Sequence, residues 1–148
     1  MPAFIDANIV LYATGDDDRF KQACNKVLKL AIDEPGTCVT SAEVLQELLY
    51  VTIRRSRHDR VAQVLEVCLS AVDGRIEPVY GLDILAAAEL AADNRSLQAR
   101  DLVHLAVMAR LGISSIVSAD RAFDQVRGVT RLDPLNLDSW RADVFDAG

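Results

Sequence analysis

Four acidic residues stand at positions that a parallel α/β protein would bring to one edge of its sheet. Asp6 and Asp120 each follow a short apolar run, and Asp101 opens the apolar segment that precedes the second run. Glu47 lies two turns into a helix that should start at the same edge. Grouped carboxylates repel one another unless a cation joins them, and Mg²⁺ and Mn²⁺ prefer such oxygen ligands. The pattern predicts a divalent-metal site.

The chemistry natural to such a site is phosphodiester hydrolysis. A divalent cation lowers the pKa of a water molecule and clamps a phosphate oxygen, and a pair of cations would stabilise both the attacking and the leaving oxygen. Asp124 lies one helical turn beyond Asp120 and is expected to face the same cleft. The sequence leaves open whether one or two ions bind.

The elements that must position these acids alternate between strands and helices. Brief apolar or β-branched runs predict strands at 3–5, 37–40, 75–79, 115–118 and 129–132. Helical periodicity predicts helices between them, with Ser41 and Asp59 as N-caps and Gly112 as a C-terminal stop. This order predicts one α/β domain over 1–148, a three-layer α/β/α fold with a central parallel sheet of about five strands. Ligands in such folds bind outside the carboxyl ends of the strands.

Composition narrows the classes of function. The 148 residues are 51% hydrophobic, enough for a sizeable core, and the formal charge is −6. That charge argues against a protein that coats nucleic acid through a broad basic face. The three cysteines are scattered and form no C-x-x-C, which favours buried thiols in a reducing cytoplasm over zinc or disulfides. No apolar run is long enough for a membrane span.

Four short segments together resemble PIN-domain nucleases. In chain order they are Phe4-Ile5-Asp6-Ala7-Asn8, Ser41-Ala42-Glu43-Val44-Leu45-Gln46-Glu47, Asp101-Leu102-Val103-His104 and Val117-Ser118-Ala119-Asp120-Arg121-Ala122-Phe123-Asp124. Each motif is weak alone, but the four occur in the family's order and cover nearly the whole chain. Size and layout look like the VapC toxins of toxin–antitoxin pairs.

The resemblance implies a cytoplasmic Mg²⁺- or Mn²⁺-dependent endoribonuclease that uses a metal-activated water and forms no covalent enzyme intermediate. It implies a homodimer that a cognate VapB-type antitoxin inhibits. Asp6, Glu47, Asp101 and Asp120 would be the catalytic, metal-binding acids, with Asp124 as an accessory ligand. Asn8 and Ser41 would shape the site through hydrogen bonds.

Basic residues near these motifs are candidates for RNA contact. One group lies between two predicted helices and a second flanks Asp101; the candidates are Arg54, Arg55, Arg57, Arg95 and Arg100. A solvated interhelix turn accounts for the first group equally well. His104, three residues after Asp101, is expected to be a packed, hydrogen-bonded core residue without a catalytic role.

Other readings of the same layout stay open to different degrees. A dehalogenase-like phosphatase would need Asp where Asn8 stands, and a receiver domain would need Lys where Arg131 and Leu132 stand. A dinucleotide-binding enzyme would need a G-x-G-x-x-G motif, which this sequence does not contain. A solitary RNA-processing nuclease and a non-catalytic PIN-like binding module remain alternatives.

Overall fold

Five parallel strands form the centre of the molecule, as predicted. The structure, a computed structural model, describes residues 1–146; residues 147 and 148 of the predicted domain lie outside the described part. The strands are β1 (Ala3–Ile5), β2 (Cys38–Ser41), β3 (Ile76–Glu77), β4 (Ser115–Val117) and β5 (Thr130–Leu132). Their order in the sheet is β3-β2-β1-β4-β5. Every residue of β1 is fully buried, because that strand has neighbours on both sides.

Within residues 1–146, seven α-helices connect and flank the strands. They are α1 (Ala7–Thr14), α2 (Asp18–Asp33), α3 (Ala42–Arg54), α4 (Val61–Ala71), α5 (Gly81–Leu90), α6 (Ala99–Leu111) and α7 (Arg141–Phe145). The first four contact one another, whereas α5 packs chiefly on α6. Right-handed crossovers explain this grouping. The chain moves β1 to β2 to β3 in one direction with α1–α4 on one face, then returns to β4 with α5 and α6 on the other.

The helix boundaries differ from the sequence expectation at two places. The two-turn helix α1 was not predicted, since it follows Asp6 directly and is too short to show a periodic apolar face. Asp59 was expected to cap α4, and that was wrong. It lies inside a 3₁₀ turn, His58–Arg60, and its carboxylate oxygens accept hydrogen bonds from Arg57, while Arg60 takes the N-cap position of α4.

The remaining boundaries follow from local chemistry. Gly112 ends α6 in the left-handed conformation (φ 70°), as its predicted role as a helix stop requires. The C-terminal part of the described chain packs against the body through Trp140 and Phe145, each only 5% exposed. All three cysteines are buried and free. Within residues 1–146 no helix has the length and apolar character to cross a membrane.

Candidate active site

The acidic site forms where β1 and β4 end side by side. Ile5 pairs with Val117, so the residues that follow both strands leave the sheet at one edge. Asp6 directly follows β1 and caps α1, its Oδ1 accepting a hydrogen bond from the Ala7 amide at 2.8 Å. Asp120 caps the 3₁₀ turn Arg121–Gln125 after β4, accepting from the Ala122 amide. The cap role and the site role therefore coincide at both positions.

Two helices bring the other acids to the same edge. α3 begins immediately after β2 and places Glu47 on its second turn. α6 places Asp101 in its first turn, where the carboxylate accepts a hydrogen bond from the Gln98 amide at 3.1 Å. A cleft of about 190 Å³ results, lined by Asp6, Asn8, Glu47, Ser96, Gln98, Arg100, Asp101, Asp120 and Ala122. The structure thus brings together all four predicted acids.

A small hydrogen-bond network fixes the Asp6 carboxylate. Ser118 Oγ donates to Asp6 Oδ2 at 2.7 Å, and Asn8 Nδ2 lies 3.1 Å from the same oxygen. Asn8 Oδ1 in turn accepts from the Ala119 amide, and the Asp120 amide donates to Ser118 Oγ. Asn8 therefore ties the start of α1 to the loop after β4. Ser118 does as much, although the sequence offered no separate reason to select it.

Ser41 does not make the hydrogen bond expected of it. Ser41 occupies the N-cap position of α3, as predicted, but its buried hydroxyl has no hydrogen-bond partner within residues 1–146 and makes no capping hydrogen bond. The neighbouring Thr40 hydroxyl instead donates to the Ile5 carbonyl at 2.8 Å and links β2 to β1. Ser41 lies outside the residues that line the cleft. Ser41 contributes to the site through its backbone, which ends β2 and leads directly into α3, and not through a side-chain contact.

His104 is the site residue that the sequence reasoning underrated. It is fully buried, as expected, but its Nε2 lies 3.4 Å from Glu47 Oε2 and 3.7 Å from Asp6 Oδ1. Its Nδ1 has no hydrogen-bond partner among the residues that the structure describes. An unpaired buried acceptor costs less than an unpaired N–H, so the arrangement favours a proton on Nε2, donated to the acids. The sequence signal for this role was its position three residues after Asp101, which places both side chains on the same face of a helix.

The electrostatics of the cleft are those of crowded, buried acids. Burial raises the pKa of Asp6 to about 6, against partial relief from the charge of His104 and the Ser118 hydrogen bond. Burial also raises the pKa of Asp101 above its usual value. Burial alone would lower the pKa of His104, but the hydrogen bond to Glu47 and the charge of Asp6 raise it. A bound cation would therefore be stabilised in this cleft by the negative charge of the acids.

The donor set fits a hard divalent cation. One ligand atom each from Asp6, Glu47 and His104 lies within 4.8 Å of the other two, and Asp101 and Asp120 line the same cleft. Carboxylate oxygens with room for water suit Mg²⁺ or Mn²⁺. His104 would join the carboxylates as a ligand only if its proton moved from Nε2 to Nδ1, and such an imidazole nitrogen is better tolerated by Mn²⁺ than by Mg²⁺.

Asp124 is not brought to the cleft. Its two carboxylate oxygens accept hydrogen bonds from Arg131 Nε and Nη2 at 2.8 and 3.2 Å. Arg131 also donates to the Ser118 carbonyl, so the pair braces the loop after β4 against β5. This bidentate pairing holds Asp124 as a structural partner. The sequence could not reveal it, because the partner lies on a different element.

The predicted RNA-contacting arginines divide into two sets. Arg100 lines the cleft, with its Nε 3.6 Å from Glu47 Oε1. Arg54, Arg55 and Arg57 lie at the far end of α3, roughly 10 Å along the axis from Glu47. Arg57 is paired with Asp59, and Arg54 donates to the Tyr50 hydroxyl. Arg95 is exposed and does not line the cleft.

Comparison with known proteins agrees with this geometry. The sequence profile of the PIN domain matches residues 3–129. Ribonuclease VapC13 of Mycobacterium tuberculosis is 31% identical over 128 residues, covering 86% of this chain and 97% of that protein. Ribonuclease VapC23 of the same species is 32% identical over 117 residues, covering 79% and 91%.

Solved structures share the fold. VapC20 of Mycobacterium tuberculosis, described as a sarcin-ricin loop cleaving toxin, superposes with a TM-score of 0.67 at 22% identity over 80% of this chain and 90% of that one. VapBC2 of Rickettsia felis, bound to a DNA fragment from its promoter, gives 0.68 at 18% identity over 89% and 98%.

Proposed function

The chain belongs to the PIN-domain family, and from that premise we propose that it is a metal-dependent endoribonuclease, the toxin of a VapBC-type pair. The observation that carries the proposal is the convergence of Asp6, Glu47, Asp101 and Asp120 on one cleft at the carboxyl edge of the sheet. The curated relatives are named ribonucleases and match almost their whole length. The match to the PIN-domain profile runs over residues 3–129, a range that includes all four of these positions.

The four acids are proposed to hold Mg²⁺ or Mn²⁺. A bound divalent cation supplies an acidified water and neutralises the charge that builds up on a phosphate. Ser118 and Asn8 keep Oδ2 of Asp6 occupied, which fixes the plane of that carboxylate and turns its other oxygen toward His104 and Glu47. Asp124 stays outside the proposed ligand set, because Arg131 holds both of its oxygens.

Fixed carboxylates matter because orientation is the protein's share of the catalysis. Groups already held in their working geometry need no reorganisation when the substrate binds. The network around Asp6 spans β1, α1 and the loop after β4, so it is anchored on rigid elements. The RNA backbone must then reach the cleft from its open side, where Arg100 presents a guanidinium group.

Two protein partners belong to the proposal. A VapB-type antitoxin would block the cleft by bringing a Lys or Arg side chain to the acids, since the crowded carboxylates attract a cation of any source. A second copy of the chain would cover the apolar side chains that α5 exposes, among them Leu82 and Leu85 at 78% and 64% exposure. Light scattering tests the dimer: a 16 kDa particle at micromolar concentration would refute it.

Cleavage of RNA under metal control tests the activity. Total RNA is incubated with the protein in Mg²⁺, in Mn²⁺ and in EDTA, alongside Asp101→Asn. The matched control is Glu66→Gln, which removes an exposed carboxylate from α4. We expect cleavage by the wild type and the control in either metal, and none in EDTA or by Asp101→Asn. Equal cleavage in EDTA would refute the proposed mechanism.

A further inference from the structure

Arg100 is the guanidinium group that, among the described residues, lines the acidic cleft. Its Nε lies 3.6 Å from Glu47 Oε1, and its Nη2 donates a hydrogen bond to Gln98 Oε1 at 3.1 Å. The Arg100 side chain is 33% exposed, whereas the Glu47 side chain is 16% exposed. The positively charged Arg100 side chain thus lies beside Glu47, one of the proposed metal ligands.

The contact between Arg100 and Glu47 is loose. A charge-assisted hydrogen bond between these groups would measure about 2.7–2.9 Å, so 3.6 Å is an ion pair without a close hydrogen bond. Arg100 and Gln98 also line a second cleft of about 340 Å³, together with Glu43, Gln46, Tyr50 and Ala99. The side chain therefore has space beside it into which it can turn.

Arg100 and a metal ion compete for the same negative charge. A divalent cation held by Glu47 would repel the guanidinium. It would also neutralise the carboxylate, which removes the attraction that keeps the guanidinium beside Glu47. A guanidinium released at the mouth of this cleft matches the geometry of a phosphate group, which it can bind through two parallel hydrogen bonds. RNA brings such phosphates to the cleft.

We propose that Arg100 is a positioning residue with two alternative partners: it pairs with Glu47 in the metal-free protein and turns to an RNA phosphate when metal occupies the acids. This inference rests on the proposed function. It predicts opposite effects of one substitution on two ligands. Removing the guanidinium removes a competitor of the metal and, at the same time, a contact to the RNA.

The test measures both ligands on Arg100→Gln. Mn²⁺ binding without RNA is followed by electron paramagnetic resonance of free Mn²⁺, and RNA binding by the KM for cleavage of a mixed-sequence single-stranded RNA at saturating Mn²⁺. We expect the Mn²⁺ Kd to fall roughly threefold, the effect of losing a partly exposed ion pair. We expect KM to rise roughly tenfold, the effect of losing a charged hydrogen bond.

Two further variants make the result specific. Arg141→Gln removes an equal charge from an exposed position on α7 and should change neither value. Arg100→Lys keeps the charge, so it should restore the wild-type Mn²⁺ Kd while only partly restoring KM, because an ammonium lacks the bidentate geometry. Thermal melting in EDTA checks that each variant is folded.

The outcomes separate the two levels of the proposal. A tighter Mn²⁺ Kd together with a higher KM in Arg100→Gln alone supports the exchange of partners. An unchanged or weaker Mn²⁺ Kd overturns it, as does an equal shift in Arg141→Gln, which would reflect net charge only. Absence of Mn²⁺ binding by the wild type overturns the proposed metal site itself, and this inference with it.

Discussion

Asp6 carries a stability cost that its removal should reveal. Asp6 is 3% exposed, and its carboxylate lies beside Glu47 and Asp101; within the described part of the chain, its close basic partner is His104 alone. Asp6→Asn keeps the shape of the side chain and removes the charge. In EDTA at pH 8, we expect the variant to be more stable than the wild type, although it has lost the function that the carboxylate serves.

The size of the effect follows from the pKa of Asp6, which burial raises from 3.8 to about 6. That difference corresponds to about 3 kcal/mol of preference for the neutral form in the folded protein. The asparagine amide can still accept from the Ala7 amide, but it turns an N–H group toward Asn8 and Ser118. That mismatch costs about 1–2 kcal/mol. A net gain of about 1–2 kcal/mol remains.

The pH dependence has a definite sign. A carboxyl group whose pKa is raised on folding destabilises the folded state once it ionises. The wild type therefore loses this stability as the pH rises from about 4 through about 6, and the cost is complete above that. The advantage of Asp6→Asn should be largest at pH 8. Well below pH 4, where Asp6 is protonated in both states, it should reverse to a deficit of about 1–2 kcal/mol, because only the mismatch of the amide remains.

Thermal or urea unfolding in EDTA measures the difference. A gain of 1–2 kcal/mol corresponds to a melting temperature roughly 2–8 °C higher for a chain of this length. Glu66→Gln, the exposed charge removal on α4, should leave the melting temperature unchanged. Added Mn²⁺ should stabilise the wild type and not Asp6→Asn. A variant less stable than the wild type at pH 8 in EDTA would refute the reasoning.

Three other perturbations have clear expected outcomes. Arg110→Met leaves the carboxylate of Asp83 without its two guanidinium hydrogen bonds, in a residue that is only 3% exposed. Urea unfolding should therefore show that the free energy of unfolding falls by about 2–3 kcal/mol. Because Arg110 lowers the pKa of Asp83, that loss should shrink as the pH falls through the lowered pKa; a loss constant with pH would contradict the assignment. Burial raises the pKa of the three cysteine thiols to about 11–12, so a thiol reagent should label none of them until denaturant is added, and rapid native labelling would contradict their burial. Asp124→Ala should leave the Mn²⁺ Kd unchanged within about twofold, the precision expected of such an assay, since Arg131 holds that carboxylate; a tenfold weaker Kd would return Asp124 to the ligand set.

The sheet and the four acids were predictable because they depend on the simplest regularities of the chain. Short apolar runs alternating with helical periodicity specify a parallel sheet, and the ends of its strands must then share one edge. Asp6 and Asp120 needed only that argument. Asp101 and Glu47 needed the added rule that helices following or preceding such strands begin or end near that edge.

The details that escaped prediction depend on side-chain partners that lie on different elements of the fold. Arg131 binds Asp124 across two elements, and the Ser118 hydroxyl reaches Asp6 from 112 positions away. No local pattern encodes such pairings. The burial of His104 was predictable from its apolar neighbours, but the direction of its ring toward Asp6 and Glu47 was not. Helix α1 escaped because eight largely apolar residues show no contrast between faces.

The central claim is that the grouped carboxylates hold the cation on which RNA cleavage depends. The direct measurement is a Mn²⁺ titration in which bound Mn²⁺ and the rate of RNA cleavage are followed in the same samples, for the wild type and Asp6→Asn. We predict that both quantities rise together with one midpoint in the wild type and that both are lost in the variant. Cleavage that reaches full rate before Mn²⁺ binds, or that survives in Asp6→Asn, would contradict the account.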